Sequence, residues 1–272
     1  MSKVWFITGT SRGLGRSFAE SALERGDKVA ATARNVASLD DLVTKYGADA
    51  VLPLALDVTD KAGVATAVAV AHEKFGRLDV VVNNAGYGLF GMVEEVTEQQ
   101  LRDQMETNLF GAFWVTQAVL PIMRAQGSGH IVQISSVGGV AAFPSLGAYH
   151  ASKWALEGFS EALAQEVAGA GIKVTVVEPG GFSTDWAGSS GVHADPNPAY
   201  DQVREAIGAR LGDARYAEAS DAGAALLRIV DAENPPLRVL FGTEPIEILE
   251  PVYAQRLQTW ADWQDVSRIA QG

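Results

Sequence analysis

The chain has no cysteine among its 272 residues, which excludes disulfides, thiolate nucleophiles and cysteine-ligated zinc. The same absence fits a reducing compartment, and a cytoplasmic setting is expected. Histidine is scarce: His72, His130, His150 and His193 have no metal-ligand spacing, so no metal site is expected. Basic residues are outnumbered, with 21 Lys plus Arg against 33 Asp plus Glu and a net charge of −12. That field repels phosphate backbones and anionic lipid, so neither nucleic acid nor membrane is an expected partner. Long apolar runs are missing too. Val4 to Ile7 is too short for a signal-peptide core, and no later run approaches a membrane span. No Pro/Gly/Ser linker or charge block divides the chain, so residues 1–272 are expected to form one domain.

Short apolar runs rich in β-branched residues recur between longer Ala/Leu/Glu segments. Val4 to Thr8, Val29 to Ala33, Val51 to Leu56, Asp79 to Asn83, Ile131 to Ser135 and Val174 to Val177 read as buried parallel strands. Leu14 to Glu24, Val36 to Tyr46, Lys61 to Phe75, Glu98 to Arg124 and Ala148 to Val167 have the length and composition of crossover helices. The alternation predicts an α/β fold: a doubly wound parallel β-sheet with helices on both faces, in three layers. Ligands bind such sheets beyond the carboxyl ends of the strands. From about Gly180 to Gly212 the pattern lapses into Gly, Ser, Asp, Asn and Pro, predicting an insertion around residues 183–212 that is a candidate substrate lid. A helix near Ala217 to Val230, a strand near Arg238 to Phe241 and a last helix from about Ile246 follow. The paired acids Glu94 and Glu95 read as solvated surface.

Directly after the first strand comes Thr8-Gly9-Thr10-Ser11-Arg12-Gly13-Leu14-Gly15, opening into a helix. Glycines at those spacings permit a tight turn, close approach of a pyrophosphate, and packing of helix on strand. The helix N-terminus adds free N–H groups and a favourable dipole. The second strand ends Thr32-Ala33-Arg34, where a reader of the NAD ribose would place an acid. Ala33 leaves that position without one, while Arg34, helped by Arg12, offers donors to a 2′-phosphate. NADP(H) is therefore the expected dinucleotide. Asp57-Val58 after the third strand and Asn84-Ala85-Gly86 after the fourth lie where its adenine and ribose are expected, although Asp57 could equally cap the helix near Asp60 and the Asn-rich run could lock the turn.

Asn108, Ser136, Tyr149 and Lys153 are the candidate catalytic residues. Gathered in one cleft, they could move a proton while a nicotinamide moves a hydride. Tyr149 and Lys153, four residues apart, share a helix face. Hydride arriving at a carbonyl carbon leaves negative charge on oxygen, to which Tyr149 can give a proton and Ser136 a hydrogen bond. Bringing a phenol from about 10 to near 7 takes roughly 4 kcal/mol. A cation about 4 Å away supplies roughly that much at an effective dielectric near 20, and Lys153 is its expected source. Alone, each residue has a plainer reading: an amphipathic Tyr–Lys pair, a serine bonded to backbone, an asparagine that bends its helix.

Taken in order, the glycine turn from Thr8 to Gly15, Asn83-Asn84-Ala85-Gly86, Asn108, Ser136, Tyr149 with Lys153, and Pro179-Gly180 with Thr184 resemble the short-chain dehydrogenase/reductases. The resemblance covers nearly the whole chain and is closest from Lys3 to about Asp185. It implies a Rossmann fold, a nicotinamide cofactor, and interconversion of alcohols and carbonyls, with Ser136, Tyr149 and Lys153 as the catalytic set. It further implies that Asn108 holds a water-linked proton relay and that Lys153 binds the nicotinamide ribose. Pro179, Gly180, Phe182 and Thr184 would pack against the nicotinamide. A homodimer or homotetramer built through helices near residues 98–124 and 148–167 is implied as well, with Trp260 and Trp263 buried there or covering the cleft. Walls at Tyr87 to Val93, Val137 to Leu146 and Phe182 to Ser190 suit a small, mostly apolar ketone or secondary alcohol. The competing reading is a dinucleotide-sensing binding protein without catalysis, against which the intact Tyr149 and Lys153 argue. A lyase or dehalogenase would be expected to alter the glycine turn or the lysine, and neither is altered.

Overall fold

A computed structural model describes residues 2–186, 188, 190–211 and 216–272. Residues 187 and 189 of the expected lid and wall, and 212 at the end of the insertion, lie outside the described residues. The apolar runs form β1 (Val4–Ile7), β2 (Lys28–Ala33), β3 (Val51–Ala55) and β4 (Val80–Asn83), followed by a two-residue β5 (Leu89–Phe90) and by β6 (Gly129–Ile134) and β7 (Ile172–Pro179). Two further short strands, β8 (Phe182–Ser183) and β9 (Val192–His193), precede β10 (Ala217–Glu218) and the edge strand β11 (Arg238–Phe241). Seven of these make one sheet in the order β11-β7-β6-β4-β1-β2-β3, with every pairing parallel. The winding reverses between β1 and β4, which opens a crevice beyond their carboxyl ends.

Strands buried on both faces need cover on both sides, and the helices supply it. They are α1 (Gly13–Glu24), α2 (Asp40–Tyr46), α3 (Lys61–Phe75), α4 (Glu98–Met105), α5 (Gly111–Gln126), α6 (Gly147–Val167), α7 (Asp201–Leu211), α8 (Ala219–Asp231), α9 (Glu244–Asp262) and α10 (Gln264–Gln271). On one face, Phe18, Ala22 and Leu23 of α1 and Leu226 and Ile229 of α8 pack on Trp5, Ile7 and Val29. On the other, Val64 and Val68 of α3, Val115 and Val119 of α5, and Leu163 of α6 pack on Phe6, Val81 and Ile131. The three-layer, Rossmann-type α/β sandwich expected from the alternation is present.

Several boundaries differ from expectation for identifiable reasons. The helix foreseen over Glu98 to Arg124 forms, with a π-helical turn inside it. Thr97 and Gln100 form a reciprocal capping box that starts α4, and a π-helical turn over Glu106–Phe110 separates it from α5. Residues 36–39 form a 3-10 turn, capped by Asn35 accepting from the Ala37 N–H, before α2 begins. Ala217 and Glu218 pair with Phe182 and Ser183 rather than opening a helix. The final helix starts at Glu244 with a proline in its first turn. Glu95 is not solvated: its side chain is 3% exposed, accepting from the N–H groups of Met92 and Asn197 and from Arg204, so it fastens the 192–211 segment to the loop after β5. Its carboxyl is held well below the usual range, first by the Asn197 and Met92 N–H groups.

Candidate active site

The glycine turn bridges β1 and α1. Gly9 adopts φ +70°, and a Cβ there would lie 3.0 Å from the Ala85 Cα. A Cβ on Gly15 would lie 2.3 Å from both the Gly9 carbonyl and Asn84 Nδ2. Backbone alone fits this corner. Asn84 locks it: Nδ2 donates to the carbonyls of Thr8 (2.9 Å) and Gly9 (3.0 Å), while Thr8 Oγ1 accepts from the N–H groups of Asn84 and Ala85, both at 2.9 Å. At the start of α1, Arg12 makes no side-chain cap, so the first-turn N–H groups of Gly13, Leu14 and Gly15 face the crevice as donors for an anion. Ser11 is exposed beside them. A dinucleotide pyrophosphate suits this cradle.

At the far end of β2, Ala33 is buried and Arg34 exposed. Arg12 pairs with Asp185 of the insertion at 2.9 Å, so it also serves to fasten that segment. Asp57 Oδ1 accepts from the Thr59 N–H and hydroxyl at 3.0 and 2.8 Å; the cap of α3 is Asp60, which accepts from the Ala62 N–H. Val58 packs its side chain where Gly111 lacks a Cβ, which leaves its backbone for a nucleotide.

Ser136, Tyr149, Lys153 and Asn108 converge beyond β4 and β6. Ser136 leaves β6 in extended conformation and its Oγ accepts from the Gly138 N–H at 3.0 Å, which keeps the hydroxyl hydrogen available for an oxygen in the cleft. Tyr149 and Lys153 stand one turn apart on α6, both buried. Lys153 Nζ donates to the Ile134 carbonyl at 2.8 Å and lies 5.9 Å from the Tyr149 ring centroid. Asn108 sits in the π-helical turn, with Oδ1 accepting from the Tyr87 N–H (3.1 Å) and Nδ2 donating to the Tyr87 carbonyl (3.0 Å) and Ser152 Oγ (3.2 Å). A Cβ on Gly86 would meet Asn108 Oδ1 at 3.0 Å and Lys153 Nζ at 3.7 Å, so that glycine opens the space between them.

The electrostatics differ from the sequence-based expectation. Burial pushes the Tyr149 phenol up to about 12, opposed by its hydrogen bond with Ser136. Burial pushes the Lys153 ammonium down to about 8, opposed by Glu157. Burial is the largest cause at Tyr149, and Lys153 is turned to a backbone carbonyl.

The insertion covers this cleft. Trp186 meets Tyr149 and Phe90 edge-on, each at a centroid distance of 5.0 Å, and His193 stacks on Phe90 at 4.8 Å. A Cβ on Gly88 would be 2.6 Å from Trp186 Cζ2, so Gly88 makes the indole's seat. Thr184 approaches Gly13, Gly180 packs against Pro245, and Phe182 lies in β8 after Pro179 ends β7. Behind the wall, Ser145 takes φ 65°, a left-handed conformation uncommon for a side-chain-bearing residue. Its carbonyl accepts from the Gly91 N–H at 2.8 Å and joins the two wall loops.

Sequence reasoning passed over Glu157, Glu178 and Arg238. Arg238 Nε donates to Glu157 Oε2 at 3.0 Å and lies 3.7 Å from Glu178 Oε1, while Nη2 donates to Glu161 Oε2 at 2.6 Å. Burial, and next Glu157, push the Glu178 carboxyl up to about 7. The available signal was the four-residue spacing Tyr149, Lys153, Glu157, Glu161 along one face of α6. His150, given no role, accepts from the Phe143 N–H at 3.3 Å and is pushed down to about 4 by burial. Among the described residues no cluster could hold a metal ion, and no helix is long and apolar enough to cross a membrane.

The fold and this site define a nucleotide-binding oxidoreductase, and the chain belongs to the short-chain dehydrogenase family, whose model matches residues 3–194. Oxidoreductase BOA17 of Botryotinia fuckeliana is 49% identical over 91% of this chain and 91% of that protein. The 3-ketodihydrosphingosine reductase of Bacteroides thetaiotaomicron is 36% identical over 88% of each. The crystal structure of a short-chain dehydrogenase from Streptomyces avermitilis superimposes with a TM-score of 0.93 at 41% identity, covering 99% of this chain and 98% of that one. Among more distant structures of the same fold, an alcohol dehydrogenase from Thermococcus sibiricus is complexed with 5-hydroxy-NADP (TM-score 0.74, 25% identity, 89% and 96% covered). A short-chain dehydrogenase/reductase from Burkholderia phymatum is in complex with NAD (TM-score 0.78, 23% identity, 98% and 95% covered).

Proposed function

We propose that the protein is an NADP(H)-dependent oxidoreductase that interconverts a mostly apolar ketone or aldehyde with the corresponding alcohol. The observation that carries this is the placement of the buried Tyr149 between Ser136 and Lys153, at the crevice that also holds the glycine cradle. When bound, the dinucleotide supplies the hydride that reaches the carbonyl carbon. Ser136, hydrogen-bonded to the phenol, turns its hydroxyl hydrogen to the carbonyl oxygen, and Tyr149 delivers the proton that oxygen needs. Burial keeps Tyr149 protonated before reaction, the state required of an acid. Lys153, held by the Ile134 carbonyl 5.9 Å from the Tyr149 ring centroid, offsets the charge left on Tyr149, while Asn108, bound to the Tyr87 backbone and Ser152, holds the inner end of a proton path.

NADP(H) over NAD(H) rests on Arg34, with Arg12, at the end of β2 and on the lack of an acid at Ala33. The walls of Phe90 and Trp186 favour an apolar substrate, and the relative named for reduction of a 3-keto sphingoid base agrees with a ketone. We place the enzyme in the cytoplasm on the ground of its cysteine-free composition. The test is loss of NADPH absorbance with the purified protein across a panel of ketones and aldehydes, run in parallel with NADH. Turnover with NADPH is expected. Tight NADPH binding without turnover on any member would favour the sensing protein instead.

A further inference from the structure

We propose that Glu157, fixed by Arg238, is a positioning residue of the site: its carboxylate is the counter-charge that keeps Lys153 an ammonium ion at the floor of the cleft. Lys153 is 5% exposed, and its hydrogen-bond partner, the Ile134 carbonyl at 2.8 Å, is uncharged. A buried cation with no opposite charge beside it loses its proton readily. Glu157 stands one helical turn further along the same face of α6 and is itself 5% exposed. It draws the Lys153 ammonium upward, against the larger downward pull of burial.

Geometry selects which of two buried acids carries the charge. Arg238 reaches in from the edge strand β11 and donates from Nε to Glu157 Oε2 at 3.0 Å, while Glu178 Oε1 of β7 lies 3.7 Å from the same nitrogen, beyond hydrogen-bond range. Two buried carboxylates beside one guanidinium do not both ionise readily. The paired one, Glu157, takes the charge, and Glu178, pushed up to about 7 by burial and next by Glu157, holds a proton more readily. Burial raises Glu157 too, and Ser135, Arg238 and Lys153 hold it down. Gly139 makes the room: a Cβ there would lie 2.4 Å from Ser135 Oγ and 3.1 Å from Glu157 Oε1.

The backbone ties the same parts to the cleft. The Ile134 carbonyl that holds Lys153 belongs to the peptide whose N–H, on Ser135, donates to the Val177 carbonyl at 2.8 Å. That carbonyl belongs in turn to the peptide that opens Glu178. Ser136 and Pro179 directly follow Ser135 and Glu178, so the acid pair lies immediately behind the catalytic floor. The other groups around Lys153 are neutral near pH 7: Asn108 from the π-helical turn, Ser135 and Ser136 after β6, and Tyr149, pushed up to about 12 by burial. Behind Glu157 stand Glu178 and Arg238, with Glu161 at the exposed end of the arginine.

The experiment is a titration of the Lys153 ammonium in the cofactor-free full chain, followed by NMR of isotope-labelled lysine side chains and assigned with Lys153→Arg. The wild-type group is expected to titrate near 8. Glu157→Gln, which keeps the shape and an oxygen for Arg238, is expected to lower it by about one pH unit or more, the scale of losing a neighbouring opposite charge. Glu161→Gln removes an exposed acid from the same arginine and is expected to leave it within about 0.3 pH units. Glu157→Asp is expected to fall between, and it carries the test if the Gln variant does not fold: a value equal to the wild type would then overturn the proposal. An unshifted lysine in a folded Glu157→Gln variant overturns it, whatever the loss of thermal stability. The consequence for turnover rests on the oxidoreductase reading above: the alkaline limb of kcat for ketone reduction is expected to move down with the lysine. A shifted lysine with an unmoved limb overturns that consequence. Absence of turnover in the wild type overturns the functional reading, while the lysine titration still decides the role of Glu157.

Discussion

The indole of Trp186 stands edge-on to the phenol ring of Tyr149, with centroids 5.0 Å apart and planes at 63°. Trp186 therefore occupies the substrate side of the candidate acid, held by Phe90 and by the missing Cβ of Gly88. An edge-on aromatic contact contributes about 0.5–1.5 kcal/mol beyond its buried area, small enough for a ligand to displace. Trp186→Ala is expected to widen the accepted ketones toward bulkier ones and to change KM about 3- to 10-fold, since such contacts are worth that much in affinity. NADPH affinity is expected to stay within about twofold, because the indole touches the tyrosine and not the glycine cradle. Steady-state kinetics with a ketone size series decides it: an unchanged profile would remove Trp186 from substrate selection.

Tyr149→Phe keeps the ring that packs against Trp186 and removes only the hydroxyl. Turnover is expected to fall about 10²- to 10⁴-fold, the range for loss of a positioned acid. NADPH binding, followed by fluorescence, is expected to be nearly unchanged. Retained turnover would assign proton delivery to another group.

Much of this site was legible because its parts follow local rules. The glycine turn is a steric requirement written in residue type, and the Tyr149–Lys153 spacing needs only helical periodicity. The strand runs were legible because burial on both faces demands continuous apolar sequence. What could not be read depended on partners distant in the chain. Glu95 resembled a solvated acid because Asn197 and Arg204, which bury it, come from another segment. The upward shift of Tyr149 comes first from burial, which is set by distant segments such as the one carrying Trp186 and not by its neighbours in the chain. The side chain of Asn108, in the π-helical turn, is bound to Tyr87 backbone groups 21 residues away, a pairing that helix propensity does not show.

The acids around Arg238 set a pH dependence of stability. Glu178 is pushed up from 4.5 to about 7 by burial and by Glu157, against the pull of Arg238. Between pH 4.5 and 7 the folded chain thus holds a proton that the unfolded chain has lost, and this group's contribution to stability falls as pH rises through that window. Glu178→Gln removes the effect and leaves Arg238 paired with Glu157 and Glu161. Glu157 is pushed up as well, so the slope is expected to shrink rather than vanish. Thermal melts should show the variant near wild type at pH 5 and higher by a few degrees at pH 8, as about 1 kcal/mol moves Tm by roughly 2–4 °C at this size. A variant less stable than wild type at pH 8 would mean that the ionised Glu178 is held favourably by Arg238.

Dinucleotide choice separates Arg34 from Arg12. Arg34 is exposed at the end of β2, beside a buried Ala33 that offers no carboxylate to a ribose. A charge-assisted bond to a 2′-phosphate is worth about 1.5–3 kcal/mol, so Arg34→Ala is expected to lower kcat/KM for NADPH about 10- to 150-fold and leave NADH unaffected. Arg12 is also bound to Asp185, an exposed pair worth at most about 1 kcal/mol. Arg12→Ala is therefore expected to weaken NADPH and also loosen the segment carrying Trp186, raising the KM for ketone, whereas Asp185→Asn should raise the ketone KM without weakening NADPH. Equal losses with NADPH and NADH in Arg34→Ala would show that Arg34 acts on the fold of the β2 end and not on the 2′-phosphate.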